Sequence, residues 1–221
     1  MLKIWITALI SLVTISVSHA QIGIGIKGGG NVARCIGDGC DDEDIESLAK
    51  LGYHVGLVGN IIISQRFDLQ VEVLYSTQGA RSDPFTIESD NPDADGILVK
   101  EVVIRNNYLN LPVMLKFYLV DKLYVHAGLY LGFLLESTSE IVSPQLQNIS
   151  GVPLVGDTKD LFNDLDLGIG GGIGYNFGYR LTAEARYQYG LANTNAEASA
   201  AISRNTLFQL SLLYRIIKHR D

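Results

Sequence analysis

Tyr108-Leu109-Asn110-Leu111-Pro112-Val113-Met114-Leu115-Lys116-Phe117-Tyr118-Leu119 resolves into two interleaved sets. Leu109, Leu111, Val113, Leu115, Phe117 and Leu119 are apolar throughout, whereas Tyr108, Asn110, Pro112, Met114, Lys116 and Tyr118 include the ionic, amide and phenolic groups. A period of two marks a β-strand with unlike environments on its faces, because successive side chains leave a strand on opposite sides.

Working outward, the pattern repeats. Leu123, Val125, Ala127, Leu129, Leu131 and Phe133 oppose Tyr124, His126, Gly128, Tyr130 and Gly132; Phe67, Leu69, Val71, Val73 and Tyr75 oppose Asp68, Gln70, Glu72, Leu74 and Ser76. Leu181 to Tyr189 alternate against Thr182, Glu184, Arg186 and Gln188, and Phe208 to Ile216 against Gln209, Ser211 and Arg215. Weaker stretches at 22–31, 53–63 and 165–177 bring the predicted strands to eight. Long connections at 33–52, 81–101, 137–164 and 190–205 alternate with short ones at 64–66, 120–122 and 178–180. That is the order of an outer-membrane barrel with external loops and periplasmic turns.

Paired residues must share a face, so a turn between strands of equal parity needs an odd number of residues. Three-residue turns meet this and set Lys116 beside His126, Asp68 beside Ile62 and Arg186 beside Gly172.

The N-terminus reads as an export signal: Lys3, an apolar run from Ile4 to Val17, then Ser18-His19-Ala20 as a cleavage pattern. Residues 1–20 are expected to be a signal peptide, 21–217 the barrel and 218–221 a short basic periplasmic tail. No later window approaches the roughly 20 apolar residues of a spanning helix. Yet hydrophobic residues make up 47% of the 221, with 23 Gly, 11 Tyr and 7 Phe, so lipid is met by strands. A net charge of −7 without a basic stripe argues against nucleic acid.

Strands can cross hydrocarbon only as a closed barrel, since every backbone polar group must be paired internally. The fold expected is therefore all-β, an eight-stranded antiparallel up-and-down transmembrane β-barrel, monomeric and set in the cell outer membrane. Leu109, Leu111, Val113, Leu115, Leu129 and Leu131 would face lipid. Lys27, Asp68, Glu72, Lys116, His126, Asp166, Glu184, Arg186 and Arg215, with Glu136, would turn inward. Eight strands leave room only for side chains, so these should form a paired polar plug. Gly168, Gly170, Gly172 and Gly174 would make space there for Arg186 and Gln188. Tyr53, Tyr75, Phe133, Tyr187 and Phe208 would form an outer aromatic girdle, and Phe67, Phe117, Tyr175, Phe177 and Tyr214 an inner one.

These stretches resemble the PorT-like outer-membrane β-barrels of Bacteroidetes over essentially the whole mature chain. The matching motifs are Gly23-Ile24-Gly25-Ile26-Lys27-Gly28-Gly29, Tyr108 to Lys116, Gly128-Leu129-Tyr130-Leu131-Gly132 and Arg186-Tyr187-Gln188-Tyr189-Gly190-Leu191. The tail Lys218-His219-Arg220-Asp221 departs from chains that stop at the last strand's apolar end, and bears on recognition by the insertion machinery. The resemblance implies a partner in the cell envelope or secretion machinery, associated with the type IX route.

Other features compete for function. Cys35 and Cys40 are spaced for a disulfide in an exported loop, and Asp41-Asp42-Glu43-Asp44 offers oxygen ligands for Ca²⁺, although the spacing is not that of an EF-hand. His54 near Ser76, expected at the outer rim, is where a rim hydrolase would be sought; His126 beside Lys116 reads as lumen packing. No catalytic motif, metal-ligand spacing or cofactor loop stands out, so an enzyme is not expected. The other alternative is a soluble periplasmic calycin-like ligand-binding barrel, which would put its apolar residues inside.

Overall fold

The computed structural model describes residues 22–38, 40, 47–87, 97–143, 154–196 and 201–217. The expected signal peptide at 1–20, the acidic run 41–44 and the tail 218–221 lie outside the described residues.

Eight strands carry the fold: β1 (Ile22–Ile36), β2 (Ser47–Ile62), β3 (Phe67–Ser82), β4 (Glu101–Val120), β5 (Leu123–Val142), β6 (Leu165–Asn176), β7 (Leu181–Gly190) and β8 (Arg204–Arg215). Each pairs antiparallel with its chain neighbours, and β1 pairs with β8, from Gly25 opposite Arg215 to Ile36 opposite Arg204. The ring therefore closes, and closure removes the unpaired edges that hydrocarbon would penalise. Lys116 stands opposite His126, Asp68 opposite Ile62 and Arg186 opposite Gly172, as the odd-turn argument requires.

Side chains divide by face. Leu57, Leu129, Leu210 and Leu212 are more than half exposed on the outside, whereas Lys27, Glu72, Lys116, Glu184 and Arg186 are at most 2% exposed inside. Ions inside and leucines outside is the reverse of a calycin-like cavity, so that alternative fails.

The strands run further than the alternation alone predicts, and unevenly. β4 and β5 have 20 residues each and β2 and β3 have 16, against 12, 10 and 12 in β6, β7 and β8. The excess lies at the outer end, where Glu101 to Asn107 pair with Glu136 to Val142, and Val155–Asp157 adds a short strand against Thr138 to Glu140. Segments read as the starts and ends of loops are thus ladder, and one flank of the barrel stands as a tall wall. A further small hairpin, Phe85–Ile87 with Ile97–Val99, joins β3 to β4.

A bulge corrects one side-chain assignment. Tyr108 pairs with Leu134 but Asn107 with Glu136, so Leu135 is an extra residue on β5. An extra residue reverses the faces beyond it. Glu136 is consequently exposed on the outer wall and does not join the interior, while Ser137 is buried.

Candidate functional site

Above this bulge the outer surface of the tall wall changes character. Below it stand Leu109, Leu111 and Val113 on β4 and Phe133, Leu131 and Leu129 on β5; above it stand Asn107 and Arg105, with Glu136, Thr138 and Glu140. Tyr53 and Tyr75 sit at the change, their rings 6.2 Å apart. At the other end Phe67 packs on Phe117 and Tyr175 on Phe177, with centroids at 5.1 and 5.0 Å. Two aromatic levels thus bracket the apolar band, the arrangement of interfacial girdles.

Inside, the nine predicted lumen residues are all buried, none more than 6% exposed. Lys27, Lys116, Arg186 and Arg215 balance Asp68, Glu72, Asp166 and Glu184 in formal charge, with His126 beside them. The centre is a five-ion cluster drawn from four strands. Arg186 grips both oxygens of Glu72, Nη1 to Oε2 at 3.0 Å and Nη2 to Oε1 at 2.6 Å. Lys27 Nζ bridges Glu72 at 3.1 Å and Glu184 at 2.5 Å. Lys116 Nζ lies 3.4 Å from Glu184 and 4.4 Å from the centre of the Tyr124 ring, whose hydroxyl donates to Glu184. Gln70 donates to Glu72 and, at 3.3 Å, to Glu184. Buried charges are tolerable only when paired, and Lys116 Nζ, which makes no hydrogen bond among the described residues, relies on its ion pair and the Tyr124 ring.

Layers above and below are polar but less ionic. Toward the periplasm, Tyr118 Oη donates to Asp68 at 2.8 Å, and Arg215 donates to the Asn176 side chain at 2.7 Å and the Tyr179 carbonyl at 3.3 Å. Toward the outer mouth, Asp166 accepts from Asn205 at 3.0 Å and Tyr130 at 3.3 Å. His54 is 1% exposed and lies within the lumen, not at the rim; its ring nitrogens meet Asn31 Oδ1 at 2.7 Å and Ser211 Oγ at 2.8 Å, while Ser76 is taken up by Asn31. These partners make a structural amide–imidazole–hydroxyl chain.

The glycine ladder makes room mainly for a different neighbour from the one expected. A Cβ at Gly174 would overlap the Tyr124 ring, one at Gly168 the Tyr130 ring at 2.5 Å, and one at Gly172 would lie 2.7 Å from His126 Nε2. Only Gly170 faces Gln188, at 3.2 Å, and the Arg186 side chain is among none of these closest contacts. The ladder serves the long side chains of β5. Sequence reasoning also passed over Tyr124, Gln70 and Asn31 as network members, although each occupies an inward position of its strand. Val58, Leu74, Met114 and Leu213 add inward apolar groups, each at most 1% exposed.

Leu109, Leu111, Val113, Leu115, Leu129 and Leu131 occupy outward positions, with Val113, Leu115 and Leu129 at 44%, 46% and 58% exposure. Cys35 and Cys40 stand as a disulfide at the outer end of β1. Among the described residues no His, Cys, Asp or Glu group gathers as a metal site.

Comparison with known proteins agrees with the fold. Neisserial surface protein A superposes with a TM-score of 0.50 at 11% identity, over 86% of this chain and 96% of that one. Ail of Yersinia pestis (TM-score 0.47, 14% identity, 89% and 99% covered) and OprG of Pseudomonas aeruginosa (0.44, 10%, 90% and 97%) are similar over comparable lengths. No protein of curated function matches the chain in sequence. The family model described as outer membrane protein beta-barrel domain matches residues 18–195, most of the length, and the chain belongs to that family of the cell outer membrane.

Proposed function

We propose that the chain is a non-catalytic, monomeric outer-membrane barrel whose lumen is a rigid plug, and whose work is done on surfaces outside it. Leu109 to Leu131 on the outer face meet acyl chains, and the strand extensions and loops of the outer end engage another component of the envelope. The observation that carries this reading is the burial of Lys27, Glu72, Lys116, Glu184 and Arg186 in one paired cluster across the barrel. A conducting lumen would leave such ions in water, and a hydrolytic site would leave its nucleophile and base accessible to substrate. The resemblance of 108–116 to PorT-like barrels supports a secretion-machinery protein as the component engaged.

Two measurements test it. In planar bilayers the purified protein is expected to give no steady conductance, and an open-pore current would overturn the plug. A deletion strain is expected to lose proteins of the type IX route from its secreted fraction; a secretome identical to the parent's would overturn the secretion role while leaving the plug intact.

A further inference from the structure

On the outer face of the tall wall, at the boundary between apolar and polar surface, lies a hollow of about 530 Å³. Its walls include Tyr53, Tyr75, Thr77, Arg105, Asn107 and Glu136. It opens sideways, away from the lumen, so nothing in the plug explains it. Its volume falls in the range of small-ligand sites, roughly 300 to 1,000 Å³.

The chemistry of the walls selects the ligand. Tyr53 and Tyr75 are neighbours tilted at 42°, and Tyr53 is 55% exposed, so a ring face is offered to a flat apolar surface. The polar side chains are held in place by one another: Asn107 Nδ2 donates to Glu136 Oε2 at 3.0 Å, Arg105 Nη2 to Glu140 Oε2 at 2.8 Å, and Thr77 Oγ1 to the Tyr53 carbonyl at 3.3 Å. Together they supply fixed donors and fixed acceptors side by side. A bare phosphate accepts hydrogen bonds only: Lys50 and Arg105 in these walls would attract it, but it would meet the Glu136 carboxylate with repulsion and leave the acceptors of the hollow unused. A pyranose fits both features, since its vicinal hydroxyls donate as well as accept and its C–H face packs on an aromatic ring. The height of the hollow selects the source. It begins at the outer tyrosine level and rises from there, where the headgroup of an outer-leaflet lipid stands beside the wall.

We propose that this hollow binds the sugar headgroup of an outer-leaflet glycolipid, with Tyr53 and Tyr75 as the stacking shelf and Arg105, Asn107, Glu136 and Thr77 as the hydroxyl partners. The site is independent of the secretion role. It gives one side of the barrel a preferred lipid and a preferred depth.

Native mass spectrometry of the full mature barrel in detergent tests this, with three probes: a glycolipid with an uncharged hexose headgroup, phosphatidylglycerol, and the free hexose. The wild type is expected to retain one glycolipid at least about tenfold more tightly than either other probe, and Tyr53→Leu and Asn107→Ala to weaken it about five- to tenfold, a difference on the scale of one or two lost contacts. Tyr187→Leu, on the opposite flank, should leave binding unchanged. Equal retention of phosphatidylglycerol, equal binding of the free sugar, or full binding by both hollow variants would overturn the proposal. A heat-modifiable gel shift confirms that each variant is folded, and Tyr53→Leu keeps an apolar group on the wall should Asn107→Ala fail to insert.

Discussion

Lys116 and Arg105 lie on the same strand, eleven positions apart, and live by different rules. Lys116 is fully buried in the lumen, tied to Glu184 at 3.4 Å and to the Tyr124 ring. Arg105 stands on the outer wall, its side chain 56% exposed, paired with Glu140 at 2.8 Å. Inside, a charge is shielded from bulk water, so its stabilisation falls to its partners and the cluster acts as a keystone. Outside, water competes for each ion, and the pair serves to hold side chains in place more than to stabilise the fold. The polar lumen and the polar wall therefore have similar compositions but separate tasks.

The sharpest way to break the comparison is at Glu184, which meets Lys27, Lys116 and Arg186. Glu184→Ala leaves three cations facing the single carboxylate of Glu72, and losing one partner of a buried pair costs about 3 to 5 kcal/mol. The expected result is a urea midpoint for loss of the heat-modifiable gel shift well below wild type, or failure to insert. A midpoint within error of wild type would mean that water fills the lumen.

Next in size is a test of where hydrocarbon ends. Leu129→Arg places a charge on the apolar band, at a cost of about 2 to 4 kcal/mol near mid-depth, falling toward zero at the interfaces. Val103→Arg adds the same charge on β4 beyond the bulge, and is expected to change the unfolding midpoint in lipid vesicles little. Equal losses at both sites would move the boundary above Asn107 and take the tyrosine hollow into the membrane core.

How much of this was legible follows from where alternation survives. From Tyr108 to Leu119 no residue breaks the period of two, so strand, faces and register all follow from the sequence. The doublet Leu134-Leu135 breaks it, and that doublet is the bulge that sends Glu136 outward. An adjacent apolar pair in an alternating strand was the available signal. The lengths of β2 to β5 were not legible, because above the girdle the alternation is lost: Val102-Val103-Ile104 run together on β4, whereas Ser137-Thr138-Ser139 on β5 are polar on both faces. The inward positions of the ion cluster were readable, since each is an even position on β3, β4 or β7 or an odd one on β1. Which acid takes which base was not, because that depends on side-chain reach across the lumen, and strand register fixes contacts only between neighbours. The glycine ladder shows the same limit. Small residues inside announce that something large lies opposite, but whether β5 or β7 supplies it is decided in three dimensions.

The smallest effect is the most informative about the outer wall. Exposed ion pairs contribute roughly 0 to 1 kcal/mol, so Arg105→Ala should shift the unfolding midpoint only slightly. If the Arg105–Glu140 and Asn107–Glu136 pairs exist to fix a binding surface, the substitution costs recognition and spares stability. Arg105→Lys separates the two roles further, since it keeps the charge but loses the planar fork that can bridge adjacent oxygens. Glycolipid retention that falls in both variants, with the gel shift intact in both, would mark Arg105 as a recognition residue. Retention preserved in the lysine variant alone would reduce its part to charge, and a large loss of stability in either would make the tall wall an extension of the keystone below it.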